Sequence, residues 1–531
     1  MARFDVVVVG AGFAGMYALH SLRERGFSVR VVERAADVGG TWYWNRYPGA
    51  RCDVPSIYYS YSFSEELQQE WVWSERFAAQ PEILAYLNHV ADRFDLRRDI
   101  AFNTDVLAAT YREVTRDWLV EVEDGEPLEA TYLITAVGCL STSSVPAIPG
   151  LETFEGPVHH TGQWPHDPID LAGKRVAVIG TGSSGIQLIP EVAKVAGHLT
   201  VFQRTPHFAV PAQNRPLGGD ELVEAKSRYS ELRESCRKAS TGTIVFPSTG
   251  KKAREVDEPE RRQALDARWT YGAGSIVSTF ADTLLDADAN EVTAEYVRER
   301  IRSIVRDPDV AERLTPRDNP IGGKRICLDT NYYDTYNRSN VELVDVRKDP
   351  IAEITINGVR TQSESRAYDV LLFATGFDAM SGPLLRLNIK GRGGQALADA
   401  WEAGPRTYLG VAVAGFPNMF TVTGPGSPSV LSNMVTSIEQ HVEWIVEMLE
   451  NLRAQGKRIA EADAAAQDEW VEHVNQVASR SLMMTANSWY LGANIPGKPR
   501  VFMPYLGGVG AYRETCERIA AAGYEGFNLD D

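Results

Sequence analysis

Gly10-Ala-Gly12-Phe-Ala-Gly15 and Gly180-Thr-Gly182-Ser-Ser-Gly185 are two GxGxxG loops in one chain. Between a strand and a helix, the first glycine of such a loop makes the tight turn. The second lets backbone approach a pyrophosphate, and the third lets the helix pack on the strand. The helix N-terminus then meets the phosphates with its partial positive charge. Two loops imply two dinucleotides, with candidate contacts from Gly10, Gly12, Phe13 and Gly15 in the first and Gly180, Thr181, Gly182, Ser183, Ser184 and Gly185 in the second. The strand that follows each loop separates the cofactors. Glu33 follows the first, where a carboxylate accepts both ribose hydroxyls of an adenosine. Phe202-Gln203-Arg204-Thr205 follows the second; it has no acid, and Arg204 there pairs well with a 2′-phosphate. The first site fits FAD or NAD and the second fits NADP(H). Together they point to hydride transfer from NADPH to a flavin.

Elements of a particular kind must position these residues. Residues 4–9 read as a buried strand, 14–25 as a helix ended by Gly26, and 28–33 as the next strand, a βαβ unit. The same order recurs over 175–179, 184–196 and 199–204. Two apolar strands ending in small residues, 132–137 and 370–374, mark where the chain leaves one nucleotide domain and returns to it. The expected fold is therefore α/β, with two Rossmann-like dinucleotide-binding domains, one inserted in the other, and a helical insert. The FAD domain takes 1–141 and 377–531, and the NADP domain takes 142–210 and 329–376. The insert, 211–328, is rich in charged amphipathic stretches such as 291–306 and carries a loop at 246–250. A long helix is expected over 437–454, and a loop over 425–429, where two prolines and a glycine preclude regular structure.

The 531 residues exceed one compact core, and 44% hydrophobic with 24% charged residues is ordinary for a globular protein. A net charge of −17 argues against nucleic-acid and anionic-membrane partners while permitting a local basic pocket. Five cysteines without metal spacing predict reduced thiols and no metal site. The chain enters its first strand at once and has no stretch long and apolar enough for a bilayer, so a cytoplasmic protein is expected. Cys52 has no near partner, which removes electron transfer to a disulfide and leaves transfer to another protein or to oxygen.

Phe154-x-Gly156-x-x-x-His160-x-x-x-Trp164-Pro165 matches the fingerprint of the Baeyer–Villiger monooxygenases at every fixed position, and in this the chain resembles that family. The likeness extends to Gly39–Asp53, to 374–377, to 487–494 and to Gly424-Pro-Gly-Ser-Pro-Ser429, which is closest to the phenylacetone and steroid monooxygenase branch. It implies an FAD- and NADPH-dependent enzyme that converts a ketone and O2 to an ester or lactone through a flavin C4a-peroxide. The family's catalytic arginine falls at Arg325, and the acid that holds it falls at Asp53. The resemblance further implies cofactor contacts from Gly40, Thr41, Trp42, Tyr59, Thr205 and Trp489, with Lys324 reaching the 2′-phosphate beside Arg204. Pro428, Ser429, Val430, Leu431 and Met434 are expected to line the ketone site, and His160 with Trp164 to act as a hinge rather than as a base. The competing enzyme reading is a flavin N- or S-oxygenase of soft nucleophiles.

Overall fold

The computed structural model describes residues 2–244 and 248–531. Strand β1 (Ala2–Val9), helix α1 (Phe13–Glu24) and strand β2 (Val29–Val32) form the first βαβ unit. Val6, Val7, Val8 and Val9 are all buried, as a parallel strand covered on both faces requires. β1 lies between β2 and β3 (Leu128–Thr135), parallel to both. Beyond β3 the sheet continues through antiparallel strands at Asp117–Val122 and Val106–Arg112. Two short strands from much later in the chain, Ile389–Lys390 and Met419–Thr421, join the same sheet. One sheet therefore draws on both ends of the chain.

The second βαβ unit is β4 (Arg175–Ile179), α2 (Ser183–Val195) and β5 (His198–Gln203). Its sheet is parallel throughout, in the order Val341–Asp345, β5, β4, β6 (Val370–Phe373), Val158–His160. The last of these strands differs from expectation. Part of the fingerprint, read as a hinge linker, is the edge strand of this sheet and pairs with β6. An antiparallel three-stranded layer over Ile351–Thr355, Gly358–Thr361 and Ser365–Ala367 was not anticipated either.

Residues 219–314 contribute five α-helices of seven residues or more, the longest being Ala287–Ile304. Asp286 caps that helix by accepting from the backbone N–H groups of Asp288 and Ala289. Of the loop expected at 246–250, residues 246 and 247 lie outside the described residues. Ser248 and Thr249 donate to the Thr279 carbonyl. Helix α3 (Met434–Ala454) buries Ile438, Val442, Ile445, Leu449 and Leu452, a stripe at alternating three- and four-residue spacing, in the same core as α1. Among the described residues no helix is long and apolar enough to cross a membrane.

Candidate active site

A single cavity of about 1320 Å³ runs from the first glycine loop to the second. Gly10 ends β1 with a φ of +103°, and a Cβ there would lie 2.6 Å from the Ala136 carbonyl oxygen. A side chain on Gly15 would drive α1 off its loop, since its Cβ would fall 1.7 Å from the Gly10 oxygen. Gly180 and Gly185 repeat this arrangement, the latter with a Cβ 2.4 Å from the Gly180 oxygen. Gly15 and Gly185 do not themselves face the cavity; their part is to let the helix approach. Gly10, Gly12 and Phe13 line it on one side, and Gly180, Thr181, Gly182, Ser183 and Ser184 on the other. Neither α1 nor α2 has an acid in its first turn, so both positive helix ends remain available to phosphates.

Glu33 reaches the first pocket almost fully buried. Its carboxylate accepts from the backbone N–H of Ala11 and of Ala35, each at 2.7 Å. Burial raises its pKa, and those two bonds work against the rise. Gly40, Thr41, Trp42 and Tyr59 line the same pocket, where the Trp42 indole donates to the Tyr59 hydroxyl at 3.1 Å.

At the second loop, Arg204, Thr205 and Lys324 line the cavity together. Burial lowers the Lys324 pKa, and the facing Arg204 charge lowers it further. Two cations that repel one another across a cavity make a site for a polyanionic group, which relieves the repulsion. The donor set thus fits one dinucleotide with free ribose hydroxyls and one with a 2′-phosphate.

Between these pockets lies the Asp53–Arg325 pair. Arg325 Nε and Nη2 donate to the two Asp53 oxygens at 2.6 and 2.8 Å, and Nη1 donates to the Val430 carbonyl at 2.6 Å. The side chains are one quarter and one third exposed, facing the cavity. Burial alone would raise the Asp53 pKa, but the Arg325 charge and its paired hydrogen bonds outweigh that and hold the carboxyl below the usual range. Asp53 in turn raises the Arg325 pKa. The guanidinium is a permanent cation, oriented by Asp53 and the Val430 carbonyl, and it lines the cavity.

The two residues are 272 positions apart in sequence, and tertiary contacts of each segment bring them together. Gly49 packs against α2, where a Cβ would lie 2.4 Å from the Gln187 carbonyl oxygen. The Gln187 side chain accepts from the Tyr47 hydroxyl at 2.8 Å and donates to the Arg51 carbonyl at 3.0 Å. This clasp seats the segment ending in Asp53 on the second βαβ unit. Gln187 was not anticipated; it is an ordinary helix-face residue until the fold is known. Arg325 is placed by the strand just after it, Cys327–Asp329, which pairs with Ala209–Pro211.

The expected ketone lining is only partly in place. Val430, Met434 and Trp489 line the cavity, whereas Pro428, Ser429 and Leu431 do not. Ser429 is turned inward: its hydroxyl donates to the Thr423 carbonyl at 3.0 Å and lies 3.1 Å from the Cys139 sulfur. Ser432, which was not anticipated, faces the cavity instead. His160 is buried. Its Nδ1 accepts from the Gly162 N–H at 3.0 Å, and burial lowers its pKa to about 4, so it is neutral at physiological pH. Trp164 packs into the core of the second sheet. All five cysteines are buried and unpaired, and no cluster that could hold a metal occurs among the described residues.

Residues 4–221 match the pyridine nucleotide-disulphide oxidoreductase family, which accounts for the two-dinucleotide frame. A Baeyer–Villiger monooxygenase of Pseudooceanicola batsensis is 43% identical, covering 100% of this chain and 97% of its own. The chain belongs to the Baeyer–Villiger monooxygenases. These are FAD-containing, NADPH-dependent enzymes of ketone oxidation. A phenazine N-monooxygenase of Lysobacter antibioticus is 42% identical over 99% of this chain and 97% of its own. The solved structure of an oxidised steroid monooxygenase bound to NADP is 51% identical, with a TM-score of 0.95 over 99% of both chains. As a Baeyer–Villiger monooxygenase the protein uses FAD and NADP(H), and its frame is α/β, with one mixed sheet and one wholly parallel sheet.

Proposed function

We propose that this Baeyer–Villiger monooxygenase oxygenates an uncharged ketone at the face of the cavity formed by Arg325, Val430, Ser432, Met434 and Trp489. FAD, when bound, supplies the redox ring that NADPH reduces and that activates O2. The chain's own residues do the rest. Arg325 offers a fixed positive charge where negative charge develops on the ketone oxygen, the kind of preorganised stabilisation that costs no rearrangement during reaction. Asp53 holds the guanidinium plane and keeps it from leaving the cavity wall. Val430, Met434 and Trp489 exclude water around the carbonyl. Glu33 orients the adenosine of the flavin nucleotide, while Arg204, Thr205 and Lys324 select the 2′-phosphate of NADP(H). His160 is a poor base, since burial lowers its pKa to about 4, and it does not line the cavity. The observation that carries this reading is the two-point Asp53–Arg325 contact at the meeting of both nucleotide pockets. In keeping with its net charge of −17, the protein acts on a small molecule without a nucleic-acid partner, and its five unpaired cysteines are in keeping with the cytoplasm.

A second reading, oxygenation of a nitrogen or sulfur centre, is favoured by the likeness to the phenazine N-monooxygenase. Attack by a soft nucleophile creates no carbonyl oxyanion, so that chemistry leaves Arg325 without its proposed task. The test is NADPH consumption by the flavin-loaded protein with panels of ketones, amines and sulfides, with product identification. Esters or lactones as principal products support the first reading; N-oxides alone, with ketones untouched, overturn it.

A further inference from the structure

Residues 486–503 form a loop with Trp489, Ala493, Asn494 and Pro496 on the cavity wall. It contains one 3-10 turn, Trp489–Leu491, and no longer element, so its position depends on what it is tied to. At one end, the Asn487 N–H donates to the Asn319 side chain at 3.0 Å, and a Cβ on Gly323 would lie 2.9 Å from the Ala486 Cβ. This end rests on the segment that carries Lys324 and Arg325. At the other end, Asn494 donates to the Phe377 carbonyl at 2.8 Å. The Lys498 ammonium pairs with the Asp378 carboxylate and also donates to the Ala379 carbonyl at 2.9 Å. Residues 377–379 lie just beyond β6, where the chain crosses from the second sheet back towards the first.

We infer that Lys498 is a positioning residue: by pairing with Asp378 it latches the Trp489 loop to the crossing between the two nucleotide-binding sheets, and so retains the nicotinamide nucleotide during turnover. The Lys498 side chain is only 10% exposed, and its partner 30%. An ion pair this far out of water is costly to break by removing one member, because the other charge is left without a counter-ion. The loop relieves that cost by swinging out, and it takes Trp489 and Asn494 from the cavity as it goes. Neither Lys498 nor Asp378 lines the cavity, so the pair touches neither nucleotide nor ketone. Its influence passes through the loop alone. The two ends of the loop are tied to different parts of the fold, so a closed loop also fixes the Arg325 segment relative to the crossing.

This inference rests on the reading of the cavity as the nucleotide and ketone site, but its readouts need no ketone. The flavin-loaded wild type, Lys498→Met, Lys498→Arg, Asp378→Asn and the exchanged pair Lys498→Asp/Asp378→Lys are compared without ketone. The measurements are the KM for NADPH, the rate of flavin reduction at saturating NADPH, and the rate at which NADPH and O2 become NADP⁺ and H2O2. Lys498→Met and Asp378→Asn are expected to raise the NADPH KM about tenfold or more and to speed H2O2 release, with flavin reduction at saturation unchanged. Lys498→Arg and the exchanged pair recover most of the loss. Unchanged KM and H2O2 release in both single variants overturn the inference, as does an exchanged pair no better than the worse single variant. If Lys498→Met does not fold, Asp378→Asn and Lys498→Arg decide alone. A wild type that gives no ester from any ketone while these results hold contradicts the functional reading, not the latch.

Discussion

Arg325 and Lys324 are neighbours with different partners, and that difference decides what each can do. Arg325 is held by Asp53 on one side and by the Val430 carbonyl at Nη1, and it presents its positive charge to whatever enters the cavity. Lys324 has Arg204 opposite and only partial compensation from Asp318, so its pKa is lowered and an anion would relieve it. Lys324→Ala should therefore raise the KM for NADPH by about tenfold or more, with little change for NADH, which has no 2′-phosphate. Equal losses with both nucleotides would contradict the assignment. The pH behaviour of the pair follows from the sign of its shifts. Asp53 is held below its unfolded value, so its stabilising contribution is present above about pH 4 and lost only as pH falls through the lowered value. Arg325 is raised, and its contribution persists until pH climbs beyond the physiological range. Ester formation should show no ionisation of this pair between about pH 6 and 9. An acid limb in that range that vanishes in Asp53→Asn would refute it.

At the scale of elements, each βαβ unit depends on one contact that no side chain permits. Gly15→Ala should prevent flavin retention and leave colourless protein. Gly185→Ala should keep the yellow flavin but lose reduction by NADPH, because only the second helix is displaced. Absorbance of the purified variants and stopped-flow reduction separate the two outcomes; a Gly185→Ala protein reduced at the wild-type rate would disprove the assignment of the second loop. These elements were legible in sequence because local patterns specify them: four consecutive valines, a glycine loop, an amphipathic helix, then a strand ending in Glu33 or in Arg204-Thr205. The strand Val341–Asp345 was harder to see, since it is short and interrupts its apolar pattern with acidic Glu342. The strand Val158–His160 was hidden inside a motif whose histidine and tryptophan drew attention from its backbone. Ser429 was misplaced for a related reason. A loop sequence shows that chain turns there but not which side chains turn inward, and here the hydroxyl follows the Thr423 carbonyl away from the cavity.

At the scale of the molecule, the proposed reaction centre lies between the two glycine loops. In that proposal the first sheet supplies the flavin pocket and the second the nicotinamide nucleotide pocket, and the Gly49–Gln187 clasp draws Asp53 to the second. Asp53 and Arg325 could be named from sequence only through the family resemblance, since nothing local links positions so far apart. Gln187, Lys498 and Asp378 were not legible at all, because their significance lies wholly in tertiary contacts. In the proposed function Arg325 serves the oxygen-transfer step and not nucleotide binding. The most direct test is Arg325→Ala, followed by stopped-flow flavin reduction with NADPH and by product analysis with a ketone that the wild type converts. Flavin reduction is expected within about threefold of wild type, ester formation lower by about 10²-fold or more, and NADPH oxidised without oxygenated product. Ester formation at a rate near that of the wild type, or a flavin that NADPH can no longer reduce, would refute the role of Arg325.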